Sequence, residues 1–249
     1  MNADYPADLY AALHTGNEGD EDFYRAVCVG ADRVLELGCG SGRLLAALAD
    51  EVPDLHGVDS SEDAVRLARE NVPASVALHR GDMTSFDVGS GFDRVLIPFN
   101  GIYCLPDLDS VRRTFERVEK ALAPDGLLVL DGYAGDPIYA DKSMEDGFDD
   151  EGEVASVIAR EKRWRVFERS EYERAKQSFA VHYRYLSEDG EEVHALIHHR
   201  YLRLAEAEEV LMSAGLELLV AHGAFDQRVY DGNSDHMILT ARKQRGPNH

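Results

Sequence analysis

A glycine-rich turn near the start of the chain carries the strongest chemical signal in the sequence. Residues 34–44 read as a short apolar strand, a turn and the beginning of a helix. Glu36 precedes glycines at alternate positions, Gly38, Gly40 and Gly42. A turn with almost no side chains can bend sharply and lie directly against a ligand. The helix that follows would direct its free N–H groups to the same place, which favours a carboxylate or a phosphate.

The spacing of the glycines distinguishes two kinds of cofactor site. A dinucleotide fingerprint has the pattern G-x-G-x-x-G, and from Gly38 it would need glycine where Arg43 stands. The observed order, Glu-x-Gly-x-Gly-x-Gly, resembles motif I of the class I S-adenosylmethionine-dependent methyltransferases, in particular the small-molecule type that includes glycine and aminosugar N-methyltransferases. The resemblance covers residues 32–131 with motifs in order, and the rest of the chain more loosely. Taken alone, the turn is also compatible with a plain strand–helix connection.

The composition limits the partners and the surroundings of the chain. The formal net charge of the 249 residues is −21, and such an acidic surface repels nucleic acid and anionic lipid. We therefore expect a small-molecule substrate, no nucleic-acid or membrane partner, and a monomer or a homodimer. Three cysteines without disulfide or metal spacing are typical of a reducing cytoplasm. Because the start is polar and no apolar run is long enough, we expect neither a secretory leader nor a membrane span.

Acidic residues at two predicted strand ends suit the nucleoside part of the cofactor. Asp59 follows the glycine turn by about twenty residues, the separation that a βαβ unit imposes. Its carboxylate can accept from both hydroxyls of a ribose, or it can cap the next helix together with Ser60. Asp82 and Met83 resemble the family's adenine-binding motif, and the resemblance also implies a leader that folds over the cofactor. The predicted cofactor-binding residues are Tyr10, Gly38, Cys39, Gly40, Asp59, Ser60, Asp82, Met83 and Phe99.

The fourth predicted strand should end at the acceptor side of the site. Its apolar residues 95–97 suit burial on both faces, and Pro98 ends it. Because ligands of open α/β sheets lie beyond the carboxyl ends of the strands, the residues after Pro98 should face the pocket. The segment departs from the Asp/Asn-Pro-Pro-Tyr motif of nucleic-acid N-methyltransferases. The predicted substrate-binding residues are Asn100, Tyr103, Tyr133 and Arg200.

Residues 136–201 interrupt the alternation of strands and helices. Residues 136–153 are strongly acidic, and we predict a solvated mobile loop there. From residue 154 onward apolar and polar side chains alternate, with a hairpin turn at residues 188–191. This alternation gives each strand one apolar face, which must pack against another part of the protein. We therefore predict an antiparallel sheet over the pocket mouth. The insertion resembles the lid of small-molecule N-methyltransferases.

These patterns together predict an α/β fold. Its core would be a Rossmann-like, seven-stranded, doubly wound sheet whose last strand is antiparallel, with an inserted antiparallel β lid. Residues 1–135 and 202–249 would form the S-adenosylmethionine-binding domain, and residues 136–201 the lid. The resemblance implies an in-line displacement that moves a methyl group from the sulfonium of the cofactor to a nucleophile, for which an amine nitrogen is our first prediction.

Histidines and one tyrosine supply the candidates for catalysis, because a protonated nucleophile needs a general base. The predicted catalytic residues are Tyr103, His236, His198 and His14. Asp231, Asp235 and His236 could imitate a metal-ligand group, but the segment reads more simply as a turn, and we predict no metal. O-methylation of a phenol or hydroxyl and a non-catalytic cofactor-binding module remain alternatives. A nicotinamide-dependent oxidoreductase is disfavoured by the glycine spacing.

Overall fold

The structure, a computed structural model, describes residues 5–143 and 145–244 of the chain. The helices are α1 (Ala7–Leu13), α2 (Asp20–Cys28), α3 (Arg43–Leu48), α4 (Glu62–Asn71), α5 (Leu108–Ala121), α6 (Gly135–Ala140) and α7 (Leu204–Ser213). The strands are β1 (Arg33–Leu37), β2 (Asp54–Asp59), β3 (Ala77–Arg80), β4 (Phe92–Ile97), β5 (Leu122–Tyr133), β6 (Gly147–Phe148), β7 (Gly152–Ala159), β8 (Lys162–Glu173), β9 (Ser178–Ser187), β10 (Glu192–Arg200), β11 (Leu216–His222) and β12 (His236–Lys243). Short 3-10 helices cover Gly101–Cys104 and Arg174–Lys176.

Strands from both ends of the chain form one seven-stranded sheet in the order β3-β2-β1-β4-β5-β12-β11. The pairs β1–β2, β1–β4, β2–β3 and β4–β5 are parallel, whereas β12 runs antiparallel to β5 and β11. The predicted seven-stranded sheet with an antiparallel last strand is confirmed. The strand order reverses between β1 and β4, and open α/β sheets bind ligands beyond the carboxyl ends of the strands at such a point.

The sheet is buried on both faces because its central strands are apolar at successive positions. Val34 and Leu96 pack on one face with α2 and α3, whereas Leu35 and Val95 pack on the other with α5 and α7. Successive side chains of a strand point to opposite faces, so a continuous apolar run fills both layers. The burial of these runs determines where along the sheet each strand ends. It therefore also determines the position of the residues that follow the strand.

A separate antiparallel sheet is inserted between β5 and α7. Its order is β10-β9-β8-β6, with β7 also paired to β8, and we call β6–β10 the lid sheet. Its inner face carries Trp164, Val181, Tyr185 and Ile197. These side chains pack with Leu9 of α1 in a hydrophobic cluster separate from the two clusters of the main sheet. The predicted inserted antiparallel sheet is confirmed, including the hairpin between β9 and β10.

The acidic stretch differs from the predicted loop. Residues 135–140 form α6, and Gly147–Phe148 forms β6, which pairs with β8. The Asp149 carboxylate accepts from the Ser170 amide at 2.5 Å, so acids in this stretch hold strands together as well as meeting solvent. The predicted domain boundaries at 135–136 and 201–202 stay a prediction. In the described part of the chain, helices of sufficient length and apolarity to cross a membrane are absent.

Candidate functional site

A cleft opens beyond the carboxyl ends of β1, β2 and β4, and we call it the main cleft. It is concave and partly open to solvent, as small-molecule sites often are. Three parts of the chain meet there: the leader before α2, the glycine turn with the start of α3, and the segment after β4. The lining residues are Tyr10, His14, Glu36, Gly38, Cys39, Gly40, Ser41, Arg43, Leu44, Asp59, Met83, Pro98, Phe99, Gly101, Cys104 and Ile197.

The glycine turn needs its glycines for backbone shape and for space. Gly38, Gly40 and Gly42 have φ values of 74°, 54° and 81°, in the left-handed region that disfavours a side chain. A Cβ on Gly42 would also lie 2.8 Å from Cγ1 of Val72 on the neighbouring helix. The sequence pattern therefore encodes a turn whose backbone, and not its side chains, faces the cleft.

The carboxylate of Asp59 holds the glycine turn and the start of α4 together. One oxygen accepts from the Gly40 amide at 2.9 Å and the other accepts from the Ser61 amide at 2.8 Å. The side chain of Ser61 in turn caps α4 by accepting from the Ala64 amide. The two alternatives for Asp59 are thus compatible: its side chain shapes the backbone and also lines the cleft, where each oxygen has a second lone pair.

Glu36 and Arg43 place opposite charges at one end of the main cleft. Glu36 is 3 % exposed, its Oε2 has no hydrogen-bond partner among the described residues, and burial raises the pKa of its carboxyl to about 8. Arg43 donates from both terminal nitrogens to the Asp20 carboxylate, at 3.0 Å and 2.6 Å, and this ion pair joins the start of α3 to the start of α2. A buried carboxylate is stabilised by a cation that pairs with it. Because Glu36 lines the cleft, a ligand there can place a cationic group beside its Oε2.

A second opening, the side cleft, continues from the main cleft toward β3. The two clefts share Gly38, Asp59, Met83 and Cys104. The side cleft also contains Ser60 and Asp82, and one Asp82 oxygen accepts from both the amide and the hydroxyl of Thr84. Every predicted cofactor-binding residue therefore lines one of two connected clefts, as an elongated ligand would require.

The segment after β4 takes an unusual backbone conformation. Phe99 and Asn100 have φ values of 51° and 62°, which are uncommon for residues with side chains. Asp131 stabilises them, because its Oδ1 accepts from the Phe99 amide at 3.0 Å and from the Tyr24 hydroxyl at 2.6 Å. The Asn100 side chain points inward, where its Oδ1 accepts from the Tyr133 amide at 2.9 Å. The Asn100 amide carbonyl thus holds β5, and the predicted contact of Asn100 with substrate stays a prediction.

Tyr103 and Tyr133 were both predicted to meet the acceptor, and the structure separates them. Tyr103 is fully buried and donates to the backbone carbonyl of Tyr133 at 3.0 Å. A Cβ on Gly132 would fall 2.6 Å from the Tyr103 ring, so that ring fills the place of a side chain inside the fold. Its hydroxyl and ring thus have structural partners, and the predicted role of Tyr103 with the acceptor stays a prediction. The Tyr133 hydroxyl is buried without a partner in the described residues, and its ring faces His199 and Phe179 of the lid sheet.

The predicted histidines lie in three different places. His14 lines the main cleft, with the Tyr10 ring 4.2 Å away. His198 is exposed on the outer face of β10, since it alternates with the inward-facing Ile197. His236 begins β12 beside Tyr133, but it lines a different surface cleft with Phe225. Strand parity and strand position thus place the side chains of His198 and His236 outside the main cleft, and their predicted catalytic roles stay predictions.

Arg200 also falls outside the main cleft. It shares the outward-facing parity of His198, and its guanidinium pairs with the Glu206 carboxylate of α7 at 3.4 Å. The ion pair joins β10 to α7, and the predicted role of Arg200 in substrate binding stays a prediction.

Several residues in or near the clefts were not selected as site residues from the sequence. His199 shares the inward parity of Ala195 and Ile197, lies under the lid sheet with its Nδ1 unpartnered within the described chain, and burial lowers its pKa to about 4. The period-two pattern of β10 already contained that signal. Glu36 was part of the motif, but its burial follows only from the packing of β1 between its neighbours. Arg43 had no sequence signal, because a long-range ion pair with Asp20 places its side chain.

Comparison with known proteins agrees with this geometry. Residues 34–126 match the family model described as a methyltransferase domain. A putative methyltransferase of a Geobacillus species is 36% identical over 118 residues, 45% of this chain and 48% of the relative. The dTDP-3-amino-3,6-dideoxy-α-D-glucopyranose N,N-dimethyltransferase of Streptomyces fradiae is 31% identical over 142 residues, 52% of this chain and 54% of that enzyme. The chain thus spans about half the length of these curated relatives.

A solved structure extends the similarity over the whole fold. The CcbJ methyltransferase of Streptomyces caelestis has a TM-score of 0.82, 27% identity and 98% coverage of both chains. The similarity therefore includes the lid sheet as well as the seven-stranded sheet. Residues 34–126 are thus similar to a methyltransferase domain, and the chain has the fold of the class I S-adenosylmethionine-dependent methyltransferases.

Proposed function

We propose that this chain transfers a methyl group from S-adenosylmethionine to an amine nitrogen of a small polar molecule. The observation that carries the proposal is the pair of connected clefts, which offers a buried unpaired carboxylate at one end and strand-end acids at the other. S-adenosylmethionine has the matching groups: an α-amino and an α-carboxylate group, a sulfonium, a ribose and an adenine.

The amino-acid end of the cofactor fits the region around Glu36. A bound ammonium group would donate to the free Oε2 of Glu36 and restore its charged form, which burial now disfavours. Arg43 lines the same cleft and would attract the carboxylate. The fit therefore depends on an acid that has no other partner among the described residues.

The nucleoside end fits the strand ends of β2 and β3. Asp59 retains a lone pair on each oxygen for the ribose hydroxyls, since each already accepts one backbone N–H. Asp82 and the Met83 backbone border the side cleft, where the adenine would lie. The glycine turn lets the backbone approach the cofactor without interference from side chains.

The cofactor supplies an activated methyl group, whose bond to sulfur breaks with both electrons staying on sulfur as the acceptor's lone pair forms the new bond. The protein therefore contributes mainly orientation, which is worth about 7–11 kcal/mol when two reactants are held in line. The rings of Phe99, Tyr10 and Tyr183 surround His14 and hold its position at the edge of the site.

An amine acceptor must lose a proton before it attacks, and His14 is placed to take it. Burial lowers the pKa of His14 to about 4, so the ring is neutral at pH 7 and carries a lone pair; because this makes it a weak base, the proton transfer requires an acceptor whose own ammonium pKa is lowered in the same buried site. Under the lid sheet, the Tyr133 hydroxyl and His199 Nδ1 are buried and unpartnered within the described residues, and their rings lie 5.8 Å apart. We assign these two atoms to hydrogen bonds with the acceptor's polar groups.

The acceptor class rests on the relatives and on the charge of the chain. The Streptomyces fradiae relative is named as a dimethyltransferase of a dTDP-linked aminosugar, and we extend the amine part of that description to this chain, with an aminosugar-like molecule as the acceptor. The net charge of −21 disfavours a polyanionic acceptor. A cytoplasmic location and a monomeric or homodimeric state stay predictions from the sequence.

Calorimetric titration with S-adenosylhomocysteine tests the cofactor assignment. We expect the wild-type chain to bind it, and Asp59→Ala to bind roughly 10- to 150-fold more weakly, the scale of hydrogen bonds made by a charged group. The matched control is Asp63→Ala, which removes an exposed carboxylate that pairs with Arg66 in the first turn of the neighbouring helix. Equal affinity of Asp59→Ala and the control would remove Asp59 from the ribose site.

Turnover with matched amine and phenol acceptors tests the reaction. We expect transfer of the labelled methyl group to aminosugar nitrogens, with faster rates as pH rises toward the acceptor's pKa. Transfer to phenols alone would assign O-methylation. Binding of S-adenosylhomocysteine without transfer to any member of either set would contradict the proposed catalysis.

A further inference from the structure

A chain of hydroxyl groups joins the lid sheet to His14. The Tyr185 hydroxyl of β9 donates to the backbone carbonyl of Leu9 at 3.3 Å. The hydroxyls of Tyr185 and Tyr5 are 2.5 Å apart, and Tyr5 Oη is 3.3 Å from His14 Nε2. Tyr5 is 2 % exposed and Tyr185 is fully buried, so water does not compete for these bonds. The proposed methyl transfer uses none of these hydroxyls directly.

The direction of the hydrogen bonds in this chain is determined at the Leu9 end. A carbonyl oxygen can only accept, so the single proton of the Tyr185 hydroxyl goes to Leu9. Tyr5 must then donate its own proton to Tyr185. The Tyr5 oxygen is left as an acceptor for His14, and the neutral imidazole must carry its proton on Nε2 to donate to it. The other ring nitrogen, Nδ1, then keeps its lone pair.

The His14 ring is held by its neighbours as well as by this bond. Tyr10 packs at a centroid distance of 4.2 Å, while Tyr183 and Phe99 meet the ring edge-on at 5.5 Å and 6.1 Å. The other titratable group that interacts with it is His199, on the inner face of the lid sheet. A ring so enclosed does not exchange its two nitrogens freely, so a hydrogen bond at Nε2 decides which nitrogen can act as a base.

We infer that Tyr5 and Tyr185 are positioning residues that fix neutral His14 as the Nε2–H tautomer and leave Nδ1 as the proton acceptor for the substrate's ammonium group. The inference rests on the proposed function for the identity of the proton donor. The proton moves from the acceptor nitrogen to Nδ1, which leaves a lone pair on that nitrogen and makes His14 an imidazolium. The Nε2–H bond to Tyr5 persists throughout, and Nδ1 later returns the proton to water.

Nitrogen NMR of the ¹⁵N-histidine-labelled protein, without cofactor or acceptor, tests the tautomer directly. The signals of His14 are assigned by their loss in His14→Gln. In the wild type we expect a protonated Nε2 and an unprotonated Nδ1. In Tyr185→Phe the Tyr5 hydroxyl loses its acceptor and turns to donate to Nε2, so we expect the Nδ1–H tautomer. In Tyr5→Phe neither nitrogen has a tyrosine partner, and we expect a mixture.

The matched control is Tyr139→Phe, which removes a hydroxyl from a ring that is 48 % exposed on α6. It should leave the His14 signals unchanged. Phenylalanine keeps each ring, and thermal unfolding confirms that each variant is folded. The opposite tautomer in the wild type, or an unchanged tautomer in both Tyr5→Phe and Tyr185→Phe, would overturn the inference.

Steady-state kinetics provide the second readout. We expect Tyr185→Phe to lower kcat about tenfold while the affinity for S-adenosylhomocysteine stays within twofold. Because the tautomer is measured without cofactor or acceptor, the NMR result tests the positioning of His14 independently of methyl transfer. A wild-type protein with the expected tautomer but no transferase activity would contradict the proposed function and leave the positioning of His14 intact. A tautomer that changes as expected with unaltered kcat would refute the catalytic use of Nδ1.

Discussion

The floor of the main cleft and the lid sheet above it differ in what the chain presents to a ligand. The floor presents backbone, because glycines at positive φ bring amides and carbonyls to the surface and Asp59 holds the turn. The lid sheet presents side chains, among them the aliphatic Ile197 at the cleft and the imidazole of His199 on the same strand face. Backbone recognition suits a cofactor of constant shape, whereas side chains on strands can be exchanged without changing the sheet. We therefore expect floor variants to change cofactor affinity and lid variants to change turnover.

The largest effect should come from Glu36→Gln on the floor. The variant removes the charge that we assign to the cofactor's ammonium group, so affinity for S-adenosylhomocysteine at pH 8 should fall roughly 10- to 150-fold. Calorimetry measures this change. The matched control is Glu21→Gln, which removes an exposed carboxylate that pairs with Arg43 at 3.3 Å. If both variants lose affinity equally, the effect belongs to Arg43 and the floor assignment of Glu36 is wrong.

The same variant makes a prediction for stability without ligand. Burial raises the pKa of Glu36 from 4.5 to about 8, with Asp59 and Asp20 adding to the rise and Arg43 opposing it. The unfolded chain therefore releases this proton at lower pH, and stability falls as pH rises from 4.5 through 8. Glu36→Gln should remove that fall, so its melting temperature should exceed that of the wild type at pH 8 and match it near pH 5. Parallel melting curves for the two proteins across this range would contradict the assignment.

A smaller effect should separate two neighbouring histidines of the lid sheet. His199→Phe removes an inward-facing polar atom that we assign to the acceptor, and kcat/KM for the acceptor should fall about tenfold, or about 1.4 kcal/mol. His198→Phe alters the exposed face of the same strand and should change it less than twofold. Both variants should keep cofactor affinity within twofold in calorimetry. Equal effects of the two substitutions would mean that the lid acts through its stability and not through its inner face.

The smallest effect on the reaction should come from Tyr103→Phe, beneath the floor. The lost hydrogen bond leaves the Tyr133 carbonyl buried without its donor, so the free energy of unfolding should fall by about 1–2 kcal/mol. Denaturant titration measures this loss, and turnover should stay within twofold. A tenfold loss of turnover with unchanged stability would return Tyr103 to the acceptor site that its sequence position first indicated.

Much of the fold could be predicted from the sequence because its signals are local. Glycine spacing, apolar runs and period-two alternation each act within a few residues, and they gave the sheet, the insertion and the residues that line the clefts. The direction of the side chains after β4 was not local. Asn100 and Tyr103 turn inward because Asp131, on another strand, stabilises positive φ at Phe99. No pattern within the segment itself contains that contact.

The histidines show two different reasons why the position predicted from the sequence differs from the position in the structure. His198 was chosen over His199, although the parity of Ala195 and Ile197 already placed His199 on the inner face. His236 lies at the predicted edge of the sheet, because β12 is antiparallel and begins where the parallel strands end. It faces the cleft that contains Phe225, and only the packing of the leader and the loop after β11 determines that separation.

The lid sheet leaves the main sheet and returns to it at one point. A Cβ on Gly135 would lie 2.1 Å from the carbonyl oxygen of Leu202, so the outgoing and returning chains touch there. The Asp136 carboxylate fastens the junction by accepting from the Leu204 amide at 2.9 Å. An insertion whose two ends meet can be replaced as a unit without altering the spacing of the strands it joins. We therefore expect that residues 136–201 can be exchanged for the corresponding segment of another chain while the seven-stranded sheet stays folded.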